Sequence, residues 1–507
     1  MKQQLRRFAP YAVGAMVGIL VSAGVTAVAQ RERSPLPLEE LRQFTDVFGA
    51  VKSNYVEPVE DKKLITEAIS GMLSGLDPHS AYLDADAFKE LQVGTQGEFG
   101  GLGIEVGTED GFIKVVSPIE DTPAARAGIK AGDLIVKIDE KPTKGLALND
   151  AVKLMRGKPK SQVVLTVSRK GAERPLIFQL ARDVIKVQSV KSKMLEPGVA
   201  YLRVTQFQEQ TVDNLARAID TLNKQAPLKS IVLDLRNDPG GLLTGAIGVS
   251  AAFLPQRVVV TSTDGRNEDA KRKYIAAPED YQRGRGEDLV SKVPAAAKTV
   301  PMVVLVNSGS ASASEIVAGA LQDHKRATII GTQTFGKGSV QTILPLSANT
   351  AIKLTTARYY TPNGRSIQAK GIVPDYLVEE TPDGDLNQFR LREADLSRHL
   401  SNDRDKDGET KSKVPDAALN DKFKDRKPIE FGSADDWQLT QAMNLLKGQP
   451  VAVAKPKDEV ARATEAAGTP APAKSGASTG GPAAGSNDAK GAIEKNVDDP
   501  KAGAIKK

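Results

Sequence analysis

The chain has 507 residues, too many for one ordinary core, so two to four domains are expected. Its apolar fraction of 40% is enough for packed cores, and 69 basic residues are nearly balanced by 63 acidic ones. Aromatic residues make up only 5%, and no basic stripe is interleaved with stacking side chains, which argues against a nucleic-acid partner.

In chain order, Lys2, Arg6 and Arg7 precede the uncharged stretch YAVGAMVGILVSAGVTAVA, which ends in the small residues Ala27 and Ala29. This is the anatomy of an export signal over residues 1–29. The alternative is an uncleaved anchor in the inner membrane, since the stretch is nearly long enough to span a bilayer. Either reading puts the body of the protein outside the cytoplasm. Residues 37–95 read as a helical region, because LEELRQFTDVFGAVKSNYV and DKKLITEAISGMLSGL carry apolar residues at three-to-four spacing.

From residue 96 to 185 the texture changes to short alternating strands (LGIEV, FIKVVS, DLIVKID, VVLTVSR) around one helical segment, ALNDAVKLMRG. That predicts a small, mostly β domain. Residues 186–380 alternate strands (VAYLRV, SIVLDL, PMVVLV, ATIIG) with helices (TVDNLARAIDTLNK, LLTGAIGVSAAFL, SASEIVAGALQ), the pattern of an α/β layer with parallel strands. Within it, the polar run 265–299 reads as a long inserted loop. Residues 381–450 read as a charged, partly helical extension. The Ala/Pro/Gly/Ser/Lys tail 451–507 is expected to be disordered, having too little apolar surface to offset chain entropy. DRDKDG at 403–408 imitates the start of a calcium loop, but position 12 is Val414 rather than a bidentate Glu, and the reading fails.

The chemistry is narrowed by what is missing. The chain has no cysteine, which excludes a thiol nucleophile, disulfides and thiolate metal sites. Its three histidines, His79, His324 and His399, form no HExxH pair, so no zinc hydrolase and no metal are expected. GTQTFGKGSVQ at 331–341 satisfies seven positions of a phosphate-binding loop. However, Gly338 stands where Ser or Thr should reach magnesium, and the residues that follow read as a strand rather than a helix. Upstream, VNSGSASASEIVAGAL puts Ser312 at the start of a helix with Glu315 three residues on. This is either a capping box or a hydroxyl projected where helix amides can stabilise negative charge. His324 cannot serve that hydroxyl as base, because one helix of about 1.5 Å per residue puts it on the order of 15 Å away. A lysine can, if burial lowers its pKa from about 10.4. Phe335, Val340 and Ile343 are the apolar neighbours that could dry the Lys337 loop.

Taken together, SASASE, TFGKGSVQ, LDPHSAYL, GLGIEV, LDLRNDPGGLL and YYTPNGRSIQAKGIVPD, in that family's order between about 40 and 380, resemble the carboxy-terminal processing peptidases (tail-specific, or Prc/CtpA, proteases). The resemblance implies a crotonase/ClpP-like α/β protease core with an inserted PDZ domain, and a bacterial periplasmic location. It implies a Ser–Lys dyad of Ser312 and Lys337, 25 positions apart, with Gln341 orienting the ammonium. Ala313 and Gly241 would supply the oxyanion amides, although NDPGG departs from the family's usual NNGGG. Gly101, Leu102, Gly103 and Ile104 would form the PDZ loop that binds a substrate's C-terminal carboxylate, with Arg156 as a candidate for coupling that domain to catalysis. The implied partners are proteins with free, unstructured, apolar C-termini. An adaptor lipoprotein with helical repeats and self-association also belong to the family picture, and no cofactor does. The alternative function is a PDZ scaffold on an inactive core.

Overall fold

A computed structural model describes residues 36–119, 121–284, 286–382, 391–404 and 430–453. The expected export signal, the tail beyond 453 and most of DRDKDG lie outside these residues. Among the described residues no helix is long and apolar enough to cross a membrane.

Two helices, α1 (Leu38–Asn54) and α2 (Asp61–Ser74), follow the three-to-four spacing, and α1 buries none of its residues. LDPHSAYL ends in a strand, β1 (Ala81–Leu83), and Asp84 then caps α3 (Ala85–Gln96), its carboxylate accepting from Ala87 N–H at 2.9 Å.

The β domain runs β2 (Glu98–Gly101), β3 (Ile104–Glu109), β4 (Phe112–Pro118), α4 (Pro123–Arg126), β5 (Leu134–Ile138), β6 (Lys141–Pro142), α5 (Leu148–Met155), β7 (Gln162–Ser168), β8 (Leu176–Ala181) and β9 (Asp183–Lys186). Its antiparallel sheet has the order β3-β4-β5-β7-β8 and closes over Ile113, Val115, Ile135, Ile138, Leu165 and Val167, every second residue of their strands or nearly so. The chain enters and leaves this domain through the β2–β9 ribbon.

The α/β layer follows with β10 (Val190–Glu196), β11 (Val199–Val204), α6 (Thr211–Gln225), β12 (Ser230–Asp234), α7 (Leu243–Phe253), β13 (Val259–Gly265), β14 (Arg272–Ile275), α8 (Pro278–Tyr281), β15 (Met302–Val306), α9 (Ala313–Asp323), β16 (Thr328–Gly331), β17 (Ser339–Pro345), β18 (Ala351–Tyr360), β19 (Tyr376–Leu377) and α10 (Trp437–Leu446). One sheet has the order β10-β11-β12-β15-β16-β19 and is parallel from β11 onward. Strands β12 and β15 are buried at every position, as their unbroken apolar runs require when both faces of a sheet are covered. A second sheet, β1-β18-β13-β14 with β17 on β18, brings LDPHSAYL against the end of the α/β layer.

Two segments differ from expectation. Residues 265–299 are not an irregular loop: β14 pairs with β13, and Tyr281, Val290, Val293 and Ala297 are buried in the main core. Polar residues hide this, because the burying side chains are spaced singly among charged ones. The packed layer also runs past residue 380. Leu439 and Ala442 of α10 cover the face of the sheet formed by Val232, Val303, Leu305 and Ile330.

That helix is anchored electrostatically. Arg236, 1% exposed, donates from Nη2 to Asp234 and to Asp436, each at 2.6 Å, and from Nη1 to Asp436 Oδ1 at 2.8 Å and Gln438 Oε1 at 3.1 Å. Removing Asp436 leaves half of a buried cation uncompensated, so Asp436→Ala should cost about 3–5 kcal/mol. Urea unfolding followed by the single tryptophan, Trp437 at the start of α10, measures the loss.

Candidate active site

Strands β12, β15 and β16 lie side by side and parallel, so the loops that follow them, 235–242, 307–312 and 332–338, meet at one edge of the sheet. In open α/β sheets this carboxyl-end crevice is where sites form.

The loop after β15 is stitched to the loop after β12. Asn307 Oδ1 accepts from Asn237 N–H at 2.9 Å, and Asn307 Nδ2 donates to Asn237 Oδ1 at 2.7 Å. The Ser310 hydroxyl donates to the Leu235 carbonyl at 2.7 Å, and Ala311 N–H donates to the Asp238 carbonyl at 3.0 Å. Held this way, Ser312 caps α9 with φ 54° and ψ −110°, a left-handed conformation that a residue with a Cβ adopts only when its surroundings over-determine it. Ser312 is 8% exposed.

The turn after β12 presses against this serine. A Cβ on Gly240 (φ +94°) would lie 2.8 Å from Ala313 N, and one on Gly241 (φ +144°) would lie 2.1 Å from the Phe207 carbonyl, so neither position admits a side chain. Gly240 N–H donates to Asp238 Oδ1 at 2.9 Å. Gly241 N–H has no partner among the described residues. Ala313 opens α9, so its amide is one of the helix's free N–H groups.

Glu315 joins the serine loop to the loop after β16. Its carboxylate is 0% exposed and takes four donors: Thr334 Oγ1 (2.5 Å) and Gly336 N–H (2.7 Å) at Oε1, with Ser312 N–H (2.8 Å) and Lys337 N–H (2.9 Å) at Oε2. Burial pushes its carboxyl up to about 7, against the pull of those four donors. The Glu315 arm of a capping box is therefore present, and it extends well beyond the helix it caps.

Lys337 is lowered from the usual lysine value, first by burial and then by the nearby charge of Lys353, while Glu393, Glu315 and Asp77 act in the opposite direction. Among the described residues its Nζ has no hydrogen-bond partner. Phe335, Val340 and Ile343, the residues expected to dry the site, are only half-buried. Gln341 lies on β17 but donates to Ser339 Oγ (3.0 Å) and Thr355 Oγ1 (3.3 Å), not to or from Lys337.

Four residues without an assigned role in the sequence, Asp77, His79, Gln368 and Glu393, frame this lysine. Asp77 accepts from the amides of His79 and Ser80 (both 2.9 Å), from the Ser80 hydroxyl (2.7 Å) and from Thr355 Oγ1 (3.1 Å). His79 Nε2 meets Glu393 at 2.8 Å, and Gln368 bridges Glu393 Oε1 (2.9 Å) to Gly338 N–H (3.0 Å). The available signal was LDPHSAYL itself, which carries one of only three histidines. His324 is the C-cap of α9, with Nε2 donating to the Val259 carbonyl at 2.7 Å, well removed from Ser312 along the helix.

In the β domain, Leu102 and Gly103 connect β2 to the edge strand β3, which Ile104 begins. Their carbonyls are engaged by Ala124 N–H (3.0 Å) and Ile119 N–H (2.9 Å), whereas their amides have no partner among the described residues. No hydrogen bond among the described residues links Gly101–Ile104 to the crevice. Arg156 stacks over the Phe99 ring, 4.6 Å from its centre, at the β2 strand through which the domain is attached.

Residues 198–378 match the family described as peptidase family S41, residues 100–180 match a PDZ domain, and residues 19–87 match the N-terminal domain of the activating protease CtpB. The chain is 45% identical over 451 residues to the carboxy-terminal-processing protease of Bartonella bacilliformis, covering 87% of this chain and 97% of that protein. It is 36% identical over 383 residues to the carboxy-terminal processing protease CtpA of Bacillus subtilis, covering 75% and 78%. Among solved structures it is similar to a photosystem II D1 C-terminal processing protease, with 32% identity, coverage of 64% of this chain and 84% of that one, and a TM-score of 0.38. Likeness that runs almost the whole length of a relative, with the S41 match spanning β11 to β19 and all three loops of the crevice, settles the family: the chain belongs to peptidase family S41, as a carboxy-terminal processing serine protease with a PDZ domain.

Proposed function

We propose that the protease cleaves with a Ser312–Lys337 dyad and selects exported proteins by their unstructured, apolar C-termini. The observation that carries this is the Glu315 carboxylate, which takes the Ser312 and Lys337 amides on a single oxygen and so ties the two candidate groups to one point. Neutral Lys337 removes the proton from Ser312 Oγ as the oxygen attacks the scissile carbonyl, and returns it to the leaving amine. Water then hydrolyses the acyl-enzyme by the reverse transfer. The oxyanion falls to Ala313 N–H, at the positive end of α9, and to Gly241 N–H. Gly240 is the poorer candidate because its amide is already committed to Asp238. Gln341 acts on the lysine indirectly, by donating to Thr355, whose hydroxyl donates to Asp77, one of the charges that favour the ammonium. The free Leu102 and Gly103 amides support carboxylate capture in the PDZ loop, with the peptide adding to the edge of β3. The N-terminal stretch ending at Ala29 supports export to the periplasm.

Cleavage of casein, or of a peptide with an apolar tail, tests the dyad. Ser312→Ala should abolish it, and Lys337→Ala should lower it about 10²–10⁴-fold. Lys337→Arg should be equally poor, since a guanidinium stays charged. Equal cleavage by all of these would leave only the scaffold reading. Because the neutral amine is the active form, kcat/KM should rise with pH along a limb whose midpoint lies below the usual 10.5 of lysine. Amidating the peptide's C-terminus should raise KM and leave kcat nearly unchanged, as expected if the carboxylate is held away from the reacting bond.

Glu315 supplies a second test. Glu315→Gln keeps an acceptor for only one of its two donor pairs, and Glu315→Leu keeps none. Since misplacement by about 1 Å can cost about 10²-fold, Leu should lose at least that much activity and Gln roughly tenfold. Circular dichroism on the same samples checks that the fold survives.

A further inference from the structure

Asp238, in the turn after β12, has no part in the mechanism above. It is 0% exposed, yet its Oδ2 has no hydrogen-bond partner. Its Oδ1 accepts from Gly240 N–H at 2.9 Å, and its main-chain carbonyl accepts from Ala311 N–H (3.0 Å) and from the Ser314 hydroxyl (2.9 Å). One residue therefore reaches the oxyanion turn on one side and both flanks of Ser312 on the other. By engaging the Gly240 amide it leaves that of Gly241 as the free donor.

The charge state of this carboxyl matters because of where it sits. An ionised Asp238 would place a negative charge, with one oxygen undonated, beside the position where the tetrahedral intermediate develops its own. The charged groups facing it are Arg203 from β11 and Asp234 from β12. Arg203 lies 3.2 Å from Asp234, which also pairs with Arg236 at 2.6 Å, so Arg203 shares its charge with another carboxylate, and no hydrogen bond joins its Nη1 to Asp238.

We propose that Asp238 is a positioning residue of the oxyanion turn that works as the neutral acid, fixing Gly240 and the Ser312 loop without adding charge next to the oxyanion. Burial pushes its carboxyl up to about 8, with the Gly240 amide, Ser314 and Arg203 pulling the other way. The proposal rests on the Ser–Lys reading, and its test separates the two.

In wild type, Asp238 ionisation should add a falling limb to kcat/KM from pH about 8 that opposes the rising limb of Lys337, with a slope of up to about tenfold per pH unit as one proton leaves. Asp238→Asn can keep its oxygen on Gly240 N–H and is neutral at every pH. It should retain the rising limb set by Lys337 and lack the alkaline fall. Asp238→Ala, which cannot hold Gly240, should lose kcat at every pH with little change in KM. A second readout needs no catalysis. An acid whose folded value exceeds its unfolded one, 3.8, costs stability progressively as pH rises from about 4 to about 8. In a Ser312→Ala background, Asp238→Asn should therefore gain melting temperature relative to Asp238 across that window. An alkaline fall that persists in Asp238→Asn, or a melting difference that does not vary with pH, overturns the proposal. Wild type that cleaves no better than Ser312→Ala overturns the dyad instead, and the melting series still reads Asp238.

Discussion

The site depends on one buried carboxylate. Three loops from three different strands must be held in register at the edge of a sheet, and their backbones have no ladder to do it. Glu315 supplies a joint with two oxygens, each taking two donors, from Ser312 and Lys337 on one side and Thr334 and Gly336 on the other. Burying a carboxylate is unfavourable by several kcal/mol unless donors saturate it, and here four do. Because those donors sit on both loops, the glutamate cannot be satisfied unless the serine and lysine loops are correctly placed together. The strained φ of Ser312 persists for the same reason: the Asn237–Asn307 pair, the Ser310–Leu235 bond and the Glu315 contact leave the chain no relaxed alternative nearby.

The lysine is governed by a wider set of residues. Burial and Lys353 favour its neutral form, while Glu393, Glu315 and Asp77 favour the ammonium. Asp77 comes from the helical N-terminal region and Glu393 from beyond the protease layer, where its N–H donates to the Phe335 carbonyl at 3.0 Å. His79 and Gln368 tie these outlying groups to each other and to Gly338. The proton affinity of Lys337 is therefore a property of the assembled chain, which gives a physical reason for the N-terminal motif to lie against β18 rather than on a tether.

Much of this was legible in the sequence, and the limits have a common cause. The alternation of apolar strands and helices from 186 to 380, the strand character of GSVQTILPL and the helix opened by Ser312 all follow from periodicity, which is local. The resemblance aligned Ser312 with Lys337, and the structure brings their backbones to one oxygen of Glu315. What stayed hidden is pairing across long separations. The S-x-x-E spacing announced a cap but could not say that the same glutamate reaches Gly336 and Lys337. Nothing near Arg236 points to Asp436, 200 residues on, and α10 looked like part of a charged extension because only its docked face is apolar. The run 265–299 reads as a loop for a related reason: isolated buried residues such as Tyr281 and Val290 carry no period.

Two buried carboxyl groups lie beside the nucleophile; burial raises both above the usual carboxylate range, but their donors differ. Glu315 has a donor on each lone-pair direction that its neighbours can fill, and its value of about 7 lets it ionise near neutrality. Asp238 has one donor on its side chain and none on Oδ2, and burial raises it to about 8. The division suits the chemistry. An anion is useful where amides must be gathered and held, and harmful where a negative oxygen is about to form. Glu315 is saturated by four donors and can hold the serine and lysine loops as an anion, whereas Asp238, with one side-chain donor, braces the oxyanion turn in the neutral form proposed above.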